Sequence, residues 1–168
     1  MISPRAIAFW WAETSATDIQ TGPNGNVFVV SLSNGAVYEI KSKPGLIFTA
    51  TLNGAQEVPP TNSAATGSAA LLLSPDERTA RLSLSFSGLT SAETDAHIHG
   101  PAPAGSTAGA LFPLPLGQLS DFEITLTPQQ VADLKAGLHY INVHTSNFMN
   151  GEIRGQFGSS AANSIVVS

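Results

Sequence analysis

The sequence predicts an all-β protein with one short helix. Three features point there. Apolar and polar residues alternate with a period of two over several short segments, which is how a half-buried strand reads. Those segments are separated by Gly-, Pro-, Ser-, Thr- and Asn-rich stretches, the composition of turns. Only one segment, after Thr127, carries helix start and stop signals.

The chain has 168 residues, enough for one domain with a sizeable core, or one domain plus a fragment. Charged residues make up 11 % and apolar residues 42 %. Low charge with alternating apolar residues is not the composition of a disordered chain. The net charge is −5, with seven Lys and Arg and no basic run, which argues against nucleic acid and anionic membrane surfaces as partners. No apolar run approaches the ~20 residues of a membrane span. Without cysteine there are no disulfides and no thiolate metal sites, but the compartment stays open. The first 16 residues hold one Arg and an apolar patch at 7–12, short for the core of a signal peptide.

Residues 18–26 are dense in turn formers. Val27 to Leu32 reads as a strand, Ser33-Asn34-Gly35 as a hairpin turn, and Ala36 to Ile40 as the return strand. An isolated hairpin is marginal in water and needs something to pack on. Residues 41–45, with Pro44, read as a linker. Phe48 to Leu52 is the first strand of the main domain. Residues 53–65, with Glu57-Val58-Pro59-Pro60, read as a loop because two prolines do not fit a central strand. Strands follow at 67–73 and 80–87. In the second, Ala80, Leu82, Leu84 and Phe86 share one face and Arg81, Ser83, Ser85 and Ser87 the other. The next strand runs into His99. Residues 101–117 read as a loop region, and 121–126 as a strand. In the helix, Thr127 suits the N-cap, Pro128 the first helical position, and Gln130 closes a capping box. Val131 and Leu134 form its apolar stripe, and Gly137 ends it. Strands at 140–145 and 151–157 complete the domain. The last residues, 159–168, form a tail whose end adds an edge strand or frays.

Two stretches carry the candidate site: Asp95-Ala96-His97-Ile98-His99-Gly100-Pro101 and Tyr140-Ile141-Asn142-Val143-His144-Thr145. Together they hold three of the four histidines. On strands, His97 and His99 leave one face while Ile98 enters the core, and Tyr140, Asn142 and His144 leave one face while Ile141 and Val143 enter it. In Gly151 to Phe157, Glu152, Arg154 and Gln156 alternate in the same way. We expect these three polar faces to adjoin in one sheet. Imidazole is a good ligand for copper or zinc, and three protein ligands are a common set. His97 and His99, at i and i+2, have Cβ atoms about 7 Å apart, and His144 supplies the third ligand from another strand. Asn142 and Glu152 are placed to orient imidazole N–H groups. Asp95 is a further oxygen donor on that face, and Arg154 an ion-pair partner for Glu152 or an anion contact. The competing reading is metal-free: the same residues form a polar network that pins the 101–117 loop to the sheet. Glu57 is expected to be a loop carboxylate accepting backbone N–H bonds, and His139 a tolerated residue where its strand begins. Nucleophilic catalysis finds no cysteine and no Gly-x-Ser-x-Gly motif.

Two resemblances add to this. Asp18, Ile19, Gly22, Pro23, Gly25, Gly35, Val37, Tyr38 and Ile40 resemble one blade segment of a β-propeller of the sugar-dehydrogenase or NHL-repeat kind, with no second copy in the chain. Residues 46–158 resemble a CHRD domain, the module first described in chordin. The carrying residues include Phe48, Leu52, Gly54, Glu57-Val58-Pro59-Pro60, Gly67 and Gly88-Leu89. Ala96 to Pro101, Gly137, Tyr140 to Thr145 and Gly151 to Gln156 carry it too, and the order of these several motifs makes it specific. His139 departs from the aromatic residue such a domain carries there. The resemblance implies an antiparallel, immunoglobulin-like Greek-key sandwich or barrel, and a secreted, periplasmic or cell-surface location. It implies no settled activity. The division is then an N-terminal extension at 1–45, the domain at 46–158 and the tail. The functional expectation is a module holding copper first, zinc second, on His97, His99 and His144. The alternatives are a metal-free interaction domain or a small copper redox enzyme. The lone hairpin leaves room for a protein partner or strand exchange with a second copy.

Overall fold

The computed structural model describes residues 16–21, 27–31, 36–40 and 45–159. The chain divides into two compact units, Met1–Lys43 and Pro44–Ser168. In the first, strands β1 (Ala16–Thr21), β2 (Val27–Ser31) and β3 (Ala36–Ile40) form an antiparallel meander. The turn-rich start of this region therefore contains a strand. Asp and Gln form strands poorly by themselves, but β2 offers a free edge, and Ile19 and Thr21 pair with Val29 and Val27 across it. The expected Asn34-Gly35 turn lies outside the described residues, as do Gly22, Pro23 and Gly25.

The second unit is built on one continuous antiparallel sheet. Its strands are β4 (Leu46–Asn53), β5 (Thr66–Leu73), β6 (Thr79–Ser87), β7 (Glu93–His99), β8 (Ala110–Pro113), β9 (Leu119–Thr125), β10 (Tyr140–Thr145) and β11 (Phe148–Gln156). Their spatial order is β8-β7-β10-β11-β4-β5-β6-β9, and the two-residue β12 (Gly158–Ser159) pairs with β4. One sheet of eight strands curls into a near-barrel around one core, so the barrel form of the expected fold is the one adopted. Buried residues alternate on three strands, as predicted for the first and third: Phe48, Ala50 and Leu52 on β4, Ala69, Leu71 and Leu73 on β5, Ala80, Leu82 and Leu84 on β6. Each large side chain so buried contributes about 1.5–3 kcal/mol of transfer free energy.

Helix α1 (Pro128–Lys135) has the predicted capping box. Thr127 Oγ1 accepts from Gln130 N at 3.2 Å and Gln130 Oε1 from Thr127 N at 2.8 Å. Val131 and Leu134 enter the common core. Among the described residues no helix is long and apolar enough to cross a membrane. Strand β8 lies where a loop was expected. The free edge of β7 captures four residues there, and Pro113 at their end suits an edge strand.

The departure that matters for the site concerns the outer face of β7, β10 and β11. A polar strand face in an antiparallel sheet is normally solvated. Here Tyr140, Asn142 and Arg154 on that face are buried. The segment after β7 covers them and is tied down by their own side chains. Arg154 Nη2 donates to Ser106 O at 2.8 Å, Gln156 Nε2 to Ala102 O at 2.9 Å, and Tyr140 Oη to Ala108 O at 3.2 Å.

Candidate metal centre

Strand order decides which histidines meet. β10 lies between β7 and β11, and its register with β7 sets Tyr140 opposite His99, Asn142 opposite His97 and His144 opposite Asp95. Facing residues on one side of an antiparallel pair have Cβ atoms about 4.5–5.5 Å apart, so three imidazoles crowd one patch. His97 and His144 have ring centroids 5.1 Å apart, and His97 and His99 5.4 Å. One ligand nitrogen from each ring lies within 4.8 Å of the others. All three side chains are half-buried, so the cluster is reachable from solvent. Its geometry can hold a metal ion.

Each ring is oriented by an oxygen outside the cluster. His97 Nε2 lies 3.2 Å from Asp95 Oδ2, His99 Nδ1 3.0 Å from Ala108 O, and His144 Nδ1 2.9 Å from Met149 O. Those oxygens only accept, so these ring nitrogens carry the N–H. The remaining nitrogens turn inward: His97 Nδ1 is 3.2 Å from His144 Nε2. Asn142 Oδ1 stands beside them, 3.0 Å from His99 Nε2 and 3.1 Å from His144 Nε2. Burial holds His99 below the ordinary imidazole range, which favours its neutral form.

Behind the histidines lies a second polar layer. The Tyr140 ring stacks on His99 at 4.8 Å and 3° between planes, and the Arg154 guanidinium sits 3.5 Å from the Tyr140 centroid. A cation over an aromatic face contributes roughly 0.5–2 kcal/mol. Burial lowers the Arg154 pKa, while its electrostatic interactions with Tyr140 and Glu57 work against that shift. Glu57, from the loop after β4, is buried beside Arg154, and its Oε1 has no hydrogen-bond partner. Burial pushes its carboxyl up to about 7, against the pull of Arg154, the Val58 backbone N–H and the Asn142 amide. Glu57 and Arg154 also line a cleft of about 400 Å³ with Gln56, Val58 and Gln156.

Asp95, Asn142 and the three histidines thus come together. Glu152 does not join them. The β10–β11 register shifts between Val143 and Thr145, and the extra residues of β11 displace Glu152 from its place opposite His144. Its carboxylate instead accepts from Ser63 Oγ at 2.6 Å, Thr145 Oγ1 at 2.7 Å, Thr90 N at 2.9 Å and Thr90 Oγ1 at 3.1 Å. Burial alone raises its pKa, but these donors outweigh it and hold the group below the ordinary carboxylate value. The expected Glu152–Arg154 ion pair is accordingly absent among the described residues; Glu57 is the carboxylate near Arg154. The expectation for Glu57 holds only in part, since Val58 N–H acts on it but one oxygen is orphaned.

His139 is fully buried against Gly100. A Cβ at Gly100 would fall 2.5 Å from His139 Cδ2 and 2.9 Å from Leu138 O. The glycine that follows His99 is therefore required by close packing. Sequence reasoning missed Tyr140 as a stacking partner and the carbonyls of Ala108 and Met149. Tyr140 shares the parity of Asn142 and His144, which was a usable signal. The carbonyls belong to residues of no distinctive type and left none.

A search of curated proteins and a search of solved structures found no match. Nothing found supports a propeller blade in the N-terminal region. One family model, the CHRD domain, matches residues 48–157. That span runs from β4 to the end of β11 and includes both histidine strands, the Glu57 loop and the helix. The chain therefore belongs to the CHRD domain family.

Proposed function

We propose that this domain is an extracytoplasmic binding module that holds one transition metal ion on His97, His99 and His144, copper first and zinc second. One observation carries the reading. Each imidazole has one nitrogen fixed by an outer oxygen, Asp95 Oδ2, Ala108 O or Met149 O, and the other nitrogens converge. Metal-bound histidines are oriented in this way by carboxylates and backbone carbonyls. Imidazole suits both metals, and the divalent affinity series places Cu²⁺ above Zn²⁺. The extracytoplasmic placement rests on the family resemblance alone.

The test uses protein purified without a histidine tag. Elemental analysis is expected to give one equivalent of metal, and His97→Ala or His144→Ala to lose it. Free metal at 100 times Kd adds about 2.7 kcal/mol of apparent stability, read as a raised Tm that chelator reverses. Metal-free protein whose Tm ignores copper, zinc and chelator overturns the proposal. That result leaves the reading in which these residues only secure the segment after β7. The bonds from His99 and Tyr140 to Ala108 O, and from Arg154 to Ser106 O, favour this second reading.

A further inference from the structure

Asn142 stands in a place that a hydrogen bond does not explain. A neutral imidazole has one N–H. His99 uses its N–H on Ala108 O and His144 on Met149 O. Their Nε2 atoms then carry lone pairs, and both face the oxygen of Asn142, at 3.0 and 3.1 Å. Oxygen and nitrogen lone pairs at that distance repel unless a positive centre lies among them. The reverse orientation of the amide would cap both nitrogens with N–H groups. The other side of Asn142 argues against it. Nδ2 points toward Glu57: a Cβ on Gly151 would meet both Asn142 Nδ2, at 2.8 Å, and the Glu57 carboxyl. The acceptor oxygens of that carboxyl favour the NH₂ end of the amide and leave the amide oxygen facing the rings.

The distances fit another arrangement. Donor atoms about 2.0–2.1 Å from one tetrahedral ion are about 3.3 Å from each other. Three of the contacts here, His97 Nδ1 to His144 Nε2 at 3.2 Å and Asn142 Oδ1 to His99 and His144 Nε2, match the edges of such a shell, and the histidine donors, spread over as much as 4.8 Å, have to draw in for all four to reach one ion. We infer that Asn142 Oδ1 is the fourth donor to the ion held by His97, His99 and His144, and that Glu57 positions its amide. This rests on the three-histidine reading above. It deepens that reading in one respect: a shell filled by four protein donors is the pattern of a site that holds its metal, whereas catalytic sites keep a position open. The inference therefore favours the holding module over the redox enzyme.

The test is titration with Co²⁺ alone, followed by its visible ligand-field bands, on wild type, Asn142→Leu and Asn142→Asp. Wild type is expected to show the intense bands of four-coordinate cobalt. Asn142→Leu is expected to weaken Co²⁺ affinity by more than the ~10–100-fold that loss of an outer partner costs, and to change the band pattern as water replaces the amide. Asn142→Asp restores an oxygen and is expected to recover affinity with shifted bands. Should Asn142→Leu fail to fold, as read by circular dichroism, the shift in Asn142→Asp decides alone. Wild-type bands in both variants overturn the assignment of Asn142 while the three histidines stand. No cobalt bands in wild type overturn the histidine site and this inference together.

Discussion

Replacing Glu57 by glutamine in chelator-treated protein isolates one buried charge. The carboxyl lies at about 7 against an ordinary 4.5 because burial disfavours its charged form more than Arg154 and the neighbouring N–H groups favour it. A raised carboxyl pKa means the folded state binds the proton more tightly than the unfolded chain. Its contribution to stability is complete below about 4.5 and is lost as pH rises through about 7. At roughly 1.4 kcal/mol per tenfold change in proton affinity, the full loss is about 3 kcal/mol. Glutamine has nearly the same shape and no charge. Glu57→Gln is therefore expected to match wild type within ~1 kcal/mol at pH 4.5, and to exceed it by roughly 3 kcal/mol at pH 8. Urea unfolding at six or seven pH values gives the difference curve, in which groups common to both proteins, such as His99 and Glu152, cancel. A flat difference between pH 4.5 and 8 refutes the reasoning. So does wild type gaining on the variant as pH rises, since that is the sign of a carboxylate stabilised by Arg154.

Two further substitutions probe the polar layer. Glu152→Ala leaves the donors of Ser63, Thr90 and Thr145 without their acceptor and is expected to cost about 2–3 kcal/mol in urea unfolding, as for neutral donors stripped of a charged partner. Because its pKa is depressed, the wild-type advantage is present above the unfolded carboxylate value and fades as pH falls through the folded one. A loss under 1 kcal/mol at neutral pH would count against this carboxylate as the tie between those segments. Gly151→Ala sets a Cβ against Glu57 Oε1 at a backbone φ of +120°, where side chains are strained. It is expected to lower stability by at least ~2 kcal/mol, and near-wild-type thermal unfolding would show that the Glu57 loop yields freely.

The sequence by itself determined what depends on neighbours along the chain. The period-two alternation set the core faces of β4 and β6, and placed His97 and His99 on one side of their strand and Asn142 and His144 on one side of theirs. Thr127, Pro128, Gln130 and Gly137 bounded the helix through local hydrogen bonds and backbone preference. Tertiary structure decided the rest. The β7–β10 register matches His97 with Asn142, and no local rule specifies which residue of one strand faces which of another. The irregularity in β11 moved Glu152 into a separate cage, because an odd number of extra residues exchanges the faces of the side chains beyond it. Folding of the segment after β7 and the loop after β4 over the polar face buried Arg154, orphaned Glu57 and brought the carbonyl of Ala108 to His99, while the β10–β11 hairpin set that of Met149 against His144. Backbone acceptors carry no residue-type signature, so contacts of this kind exist only once the chain has closed on itself.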